Sequence, residues 1–255
     1  MFRRSAEFYD AVYAWKDYAA EARTLVEVIE RHKRSDGNAL LDVACGTGAH
    51  LAHLAAHFRV EGVDVEPSMV EIARRRLPGV PIHQGDMAEL ALGRRFDVVT
   101  CLFSSIGYMR TVDRLERAVR AMARHLVPGG VLVLEPWLRP DVYKAGSLHM
   151  HAIDRPDLKL ARVVRSDIAG RVSVMDMHHV VGTPEGVESF VERHELGLFT
   201  AEEYRGAFRA AGLEIREELA EGSLTGRGLY VGVRGGAVPG VAAAAAAAPD
   251  GDNED

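Results

Sequence analysis

Short apolar runs and longer amphipathic stretches take turns along the first half of the chain. "NALLDVAC", "VEGVDVE", "PIHQGD", "FDVVTCLFSS" and "VLVLEPW" are too short for helices, and their apolar positions suit buried strands. Helical spacing fills the gaps. In "GAHLAHLAAHF" Leu51, Leu54 and Phe58 share one face, and "PSMVEIARRRL" carries Pro67 near its start, where the first turn needs no N–H donor. "TVDRLERAVRAMARHL" is stopped by "PGG". Residues 5–34 read as a helix that caps the domain. Strand and helix alternating in this way predict an α/β fold: a doubly wound, Rossmann-like parallel sheet over residues 35–150.

The pattern then changes. "LARVVRSD", "RVSVMDMHHVV" and "VESFVERHELGLF" alternate with period two, with turns near Gly170 and Pro184–Gly186, which predicts an antiparallel β insertion over residues 151–198 that covers the active site. Residues 199–234 return to the main domain. "TAEEYRGAFRAAG" has Thr200 and Glu203 placed for a capping box and Gly212 as its stop, and "LEIREEL" and "RGLYVGVR" are closing strands. Residues 235–255, alanine-rich and then acidic, read as a disordered tail.

The strand ends carry the candidate chemistry. Gly46 and Gly48 follow the first strand in "LLDVACGTG". Glycine there serves either a tight strand–helix turn or the close approach of a ligand. Asp64 ends the second strand, where a carboxylate can accept both hydroxyls of a ribose. Asp86 follows the third in "QGDM", placed to accept from an adenine amino group, and Met87 beside it can lie against the ring. The third glycine of a dinucleotide fingerprint is replaced by Leu51, which favours a nucleoside bearing one carboxylate over a pyrophosphate.

Composition narrows the partners. The formal net charge is −6, and no basic stripe or aromatic nucleic-acid motif interrupts it, so neither nucleic acid nor an anionic membrane is expected. Apolar content of 47% suffices for a full core without any run of membrane-spanning length. Cys45 and Cys101 sit in strand contexts and read as buried thiols, which fits a reducing cytoplasm. "MFRRSAEFYD" lacks the apolar centre of a signal peptide.

"LLDVACGTG", Asp64, "QGDM", "FDVVTCLFSSIGY" and "PGGVLVLEPW" resemble the class I S-adenosylmethionine-dependent methyltransferases. With "EFYDAVY", "KDYAAEA", "LFTAEEYRGAFRAAGL" and "GRGLYVGV" added, the chain resembles, over residues 7–233, the bacterial N,N-dimethyltransferases of nucleotide-linked amino sugars of the desosamine and mycaminose type. The resemblance implies S-adenosylmethionine as cofactor. It implies that Ala44, Gly46 and Gly48 line its methionine part, that Asp64 holds its ribose, that Asp86 and Met87 meet its adenine, and that Leu102 faces its sulfonium. Tyr13 would cover the site from the N-terminal cap, Trp137 and Arg227 would face a nucleotide-sugar, and Tyr108 would stand near the amine. His178 matches a histidine of such enzymes. The chain departs from the family at "AWK" between Tyr13 and Asp17, at "EPWL", and in the more charged "ARVVRSD", mostly on the sugar side.

A sugar amine is largely protonated at neutral pH and must lose a proton before it attacks. Tyr108 either orients that amine or acts as its base, water being able to take the proton as well. Arg227, between two glycines, either reaches a phosphate or makes a surface salt bridge. His50, His53 and His57 read as an exposed helix face rather than a metal site. The expectation is an N-methyltransferase that (di)methylates the amine of a nucleotide-activated amino-deoxysugar in antibiotic biosynthesis, with a homodimer as an open assembly. The alternative is an O- or N-methyltransferase of another small secondary metabolite.

Overall fold

The computed structural model describes residues 4–219 and 226–235. The predicted tail therefore lies outside the described residues, apart from Gly235. A seven-stranded sheet forms the centre. Its strands are β1 (Ala39–Val43), β2 (Arg59–Asp64), β3 (Ile82–Gln84), β4 (Phe96–Cys101), β5 (Leu126–Leu134), β10 (Leu213–Leu219) and β11 (Leu229–Arg234), in the order β10-β11-β5-β4-β1-β2-β3. β1 to β5 run parallel; β11 lies antiparallel to β5, and the edge strand β10, antiparallel to β11, runs with the parallel set.

Alternation along each strand feeds two cores. Leu41, Val43, Val99, Cys101, Leu132 and Leu134 face the helices α5 (Val112–Arg124) and α6 (Ala201–Ala210). Leu40, Val98, Val131 and Val133 face α2 (Tyr18–His32), α3 (Ala49–Leu54) and α4 (Pro67–Arg76). Both thiols are buried, as expected. The anticipated capping box is present: Thr200 Oγ1 accepts from the Glu203 N–H, and the Glu203 carboxylate accepts from the Thr200 N–H.

The expected single helix over 5–34 is divided. A 3₁₀ turn, Ser5–Phe8, leads into the short α1 (Tyr9–Val12), and the chain then bends before α2. Asp17 causes the restart, because its side chain caps the N–H of Ala20. The second sheet is antiparallel, in the order β6-β7-β8-β9: β6 (Leu148–Asp154), β7 (Lys159–Ala169), β8 (Val172–Thr183) and β9 (Gly186–Gly197). β6 was not expected, because it is an edge strand whose Leu148 and Met150 are exposed; the insertion begins at Leu148 rather than at residue 151. Its inner face packs Leu158, Leu160, Val181 and Phe190 against Val12, Phe8 and Tyr13 of the N-terminal cap. Among the described residues no helix is long and apolar enough to cross a membrane.

Candidate active site

The strand order reverses between β1 and β4, and a cavity of about 510 Å³ opens there beyond the strand ends. Ala44, Gly46, Asp64, Asp86, Met87 and Tyr108 all line it. A second, narrow pocket of about 30 Å³ continues from Ala44 and Gly46 past Leu102 to Asp42, Tyr18, Thr47 and His50.

The backbone is strained around this space. Ala44, Phe103, Ser104 and Arg110 are the non-glycine residues with positive φ among the described residues, at 61°, 52°, 60° and 59°. Such conformations cost on the order of 1–3 kcal/mol each and gather at binding sites. Gly46, at φ 55°, borders both pockets, and a Cβ there would meet no protein atom within 4 Å, so it would project into the cavity. Gly48 does not reach the main cavity. At φ 77° it begins α3 and donates to the Cys45 carbonyl, shaping the turn from behind. Leu51, where a third glycine was lacking, packs onto Gly62 of β2, whose missing side chain makes the room.

Asp64 is buried at the end of β2. One oxygen accepts the Gly46 N–H at 2.8 Å and the other the Glu66 N–H at 2.9 Å. Burial raises its carboxyl above the usual range, partly offset by these backbone donors. The Val65 N–H bears on it as well, and the carboxylate lines the cavity, where it can accept from a diol. Asp86 differs. Burial works to raise its carboxyl, but the Ala88 N–H and the Arg114 guanidinium, 2.7 Å away, hold it below the usual range. It stays an ionised acceptor beside Met87. A nucleoside with an amino group and two hydroxyls therefore fits the acceptors on the walls.

Asp42 and His50 line the narrow pocket, and Glu21 stands behind it; no sequence motif marks them. Asp42, the acid that ends the first apolar run, is buried and accepts from Thr100 Oγ1 at 2.7 Å; burial, partly offset by His50 and Thr100, pushes it up to about 6. Glu21 of α2 binds both Lys16 Nζ, at 2.6 Å, and His50 Nε2, at 2.7 Å. His50 is thus turned inward, correcting its assignment to an exposed face; His53 and His57 are exposed. Among the described residues no group of His, Cys, Asp or Glu could hold a metal ion.

The expected acceptor residues form a neighbouring cluster centred on Phe103. Its ring meets Tyr13 edge-on at 5.1 Å, Lys16 Nζ at 4.2 Å and the Arg227 guanidinium at 5.5 Å. Arg227 also lies 5.2 Å from the Trp137 ring and 3.5 Å from the buried Glu135 carboxylate. Trp137 Nε1 donates to Ser173 of β8 at 2.9 Å, and Tyr13 accepts from Arg162 of β7 at 3.2 Å, so the insertion sheet holds both aromatics. His178 is not brought into this group. Strand alternation puts it on the outer face, opposite Val163 and Val191. The histidine that does reach the cavity residues is His194 of β9, whose Nδ1 lies 2.7 Å from the Tyr108 hydroxyl. In "FVERHELG" Phe190, Glu192, His194 and Leu196 fall on one strand face, and that period-two pattern was the available signal.

Comparison with known proteins shows the family. A methyltransferase domain model matches residues 40–130. The chain is 44% identical to dTDP-4-amino-2,3,4,6-tetradeoxy-D-glucose N,N-dimethyltransferase of Saccharopolyspora spinosa, covering 90% of this chain and 92% of that one. It is 42% identical to dTDP-3-amino-3,4,6-trideoxy-alpha-D-glucopyranose N,N-dimethyltransferase of Streptomyces venezuelae, covering 89% and 97%. Among solved structures, it superposes with a TM-score of 0.80 on CalS10, an amino pentose methyltransferase of Micromonospora echinaspora involved in calicheamicin biosynthesis. That structure was solved with S-adenosylmethionine bound; identity is 44%, covering 89% of this chain and 96% of that one.

Proposed function

Because the chain belongs to the S-adenosylmethionine-dependent methyltransferases, in the group of N,N-dimethyltransferases of nucleotide-linked amino sugars, we propose that it methylates, twice, the amine of a dTDP-linked amino-deoxysugar in antibiotic biosynthesis. The observation that carries the acceptor side is the meeting of two clusters at one segment. Phe103 belongs to the aromatic–arginine cluster, while Tyr108, a few residues on, lines the nucleoside cavity.

S-adenosylmethionine, when bound, supplies an electrophilic methyl group on a sulfonium, and the thioether that leaves needs no proton. The protein's share is alignment and dryness. Asp64 holds the ribose, Asp86 and Met87 the adenine, and Ala44, Gly46 and Leu102 leave space for the methionine chain, with Gly48 setting the turn. Asp42 at the narrow end offers a negative charge to its ammonium. Trp137 stacks on the acceptor, Arg227 reaches its phosphates, and Tyr13 closes the site from the cap. Tyr108 orients the amine. Burial raises the Tyr108 hydroxyl well above its ordinary value, so it works as a hydroxyl rather than as a phenolate. The proposal includes a cytoplasmic location and a homodimer.

The existing pairing of Arg227 with Glu135 favours a second reading, in which this arginine is structural and the acceptor is another small metabolite. Incubation with labelled cofactor and a panel of dTDP-amino sugars and phosphate-free amines decides between them. Two methyl groups should enter the dTDP-amino sugar; transfer only to phosphate-free acceptors would give the second reading the lead.

A further inference from the structure

A line of polar groups runs from the cavity wall into the insertion. Tyr108 lines the cavity, and its hydroxyl is 2.7 Å from Nδ1 of His194, which is 1% exposed. The other ring nitrogen, Nε2, lies 3.9 Å from a Glu192 oxygen, an ion-pair distance rather than a hydrogen bond. Glu192 is itself anchored: it accepts the Arg4 N–H at 2.8 Å, the Ser5 N–H at 3.2 Å and the Ser5 hydroxyl. Burial works to raise its carboxyl, but the His194 imidazole, the Ser5 hydroxyl and the two N–H groups hold it down at about 2, so it is a fixed anion. Facing this line are Tyr13 from the cap, Asp64 from β2, and Arg162 and His179 from β7 and β8.

We propose that His194 and Glu192 are positioning residues that let the Tyr108 hydroxyl carry a proton away from the acceptor amine. The inference rests on the amino-sugar reading, in which a protonated amine must lose its proton before it attacks. The carboxylate beside Nε2 favours the tautomer with its proton there, which leaves Nδ1 to accept from Tyr108. The hydroxyl oxygen then has lone pairs for the substrate N–H. As the ammonium gives its proton to the Tyr108 oxygen, the Tyr108 proton moves to Nδ1. The imidazolium so formed faces Glu192, and the amine nitrogen keeps its electron pair for attack. The proton returns through Tyr108 to water when the product leaves.

The test joins one measurement without turnover to one with it, on the full chain. Nitrogen-15 histidine spectra should show His194 protonated at Nε2 and bare at Nδ1, with Tyr108→Phe moving the Nδ1 signal. A protonated Nδ1 would overturn the path. With dTDP-3-amino-3,4,6-trideoxy-α-D-glucopyranose as probe, His194→Ala should lower kcat by about 10²-fold with KM unchanged, and kcat should keep rising with pH. His194→Asn keeps an acceptor near Nδ1 but takes up no proton, so it should fold normally and remain slow; full recovery of kcat would assign His194 a structural role only. Tyr108→Phe combined with His194→Ala should be no slower than the worse single variant, and independent losses would contradict one path. If the unaltered protein methylates no dTDP-amino sugar, the substrate reading fails by itself, and the spectra still judge the line of groups.

Discussion

In the seven-stranded sheet, neighbouring residues of one strand go to opposite cores: Leu40 to one, Leu41 to the other. In the four-stranded sheet only one face is covered. Its outer face carries Met150, Val163, His178 and Val191 as one exposed row across all four strands. The inner face mixes Phe190 and Val181 with Glu192, His194 and Ser173. The first sheet builds its site from backbone, with glycine turns, positive φ and N–H groups aimed at Asp64. The second builds its contribution from side chains held by strand register. Binding of the nucleoside should therefore break through single changes at the ends of β1 and β2, and acceptor chemistry through changes in the insertion and in the Phe103–Trp137–Arg227 cluster that it flanks.

Asp64→Ala should produce the largest effect. On the proposed reading it removes an acceptor for two hydroxyls, at about 1.5–3 kcal/mol for each charged hydrogen bond, so calorimetry should show S-adenosylmethionine affinity falling at least tenfold. Unchanged affinity would remove Asp64 from the site. Gly62→Ala comes next. The new Cβ would lie 2.7 Å from Cys45 Sγ and 2.8 Å from Leu51, behind the glycine turn. Overpacking of that kind costs about 1–3 kcal/mol, and about 2–4 °C of melting temperature per kcal/mol is expected for a chain of this size. The same measurement on Gly170→Ala, in a hairpin whose Cβ would meet open space, isolates the strain of its positive φ.

Acid separates the two regions more gently. The Asp42 carboxyl is raised from 3.8 to about 6, so its neutral form is favoured on folding. The stability this gives is complete below pH 3.8 and lost as pH rises through 6. Glu192 is lowered from 4.5 to about 2, so its contribution is present above pH 4.5 and lost as pH falls toward 2. In thermal melts, Asp42→Asn should stabilise increasingly from pH 4 to 7, whereas Glu192→Gln should destabilise at pH 7 and lose that deficit below pH 4. Shifts in the same direction would break the comparison.

The same division explains what the sequence disclosed. The buried parallel strands, the glycine turn, Asp64 and Asp86 were legible because apolar runs and strand-end acids depend on local order. The capping box at Thr200 and Glu203 was legible for the same reason. β6 was not, because an edge strand with its large apolar residues exposed declares itself only through its partner β7. His178 and His194 show the difficulty in one pair. Only register decides which histidine faces the site, and one residue of offset reverses it. The inward turn of His50 depended on Glu21, which belongs to a different helix.

Crossed titration of Asp64→Ala and Arg227→Ala tests most directly the claim that nucleoside and acceptor are held by separate parts of the molecule. Each variant is titrated with S-adenosylhomocysteine by calorimetry and assayed for KM with dTDP-3-amino-3,4,6-trideoxy-α-D-glucopyranose. Asp64→Ala should lose affinity for the nucleoside and keep its acceptor KM. Arg227→Ala should keep nucleoside affinity and show an acceptor KM raised tenfold or more. Equal losses in both variants, or an Arg227→Ala enzyme indistinguishable from the unaltered one, would contradict the division.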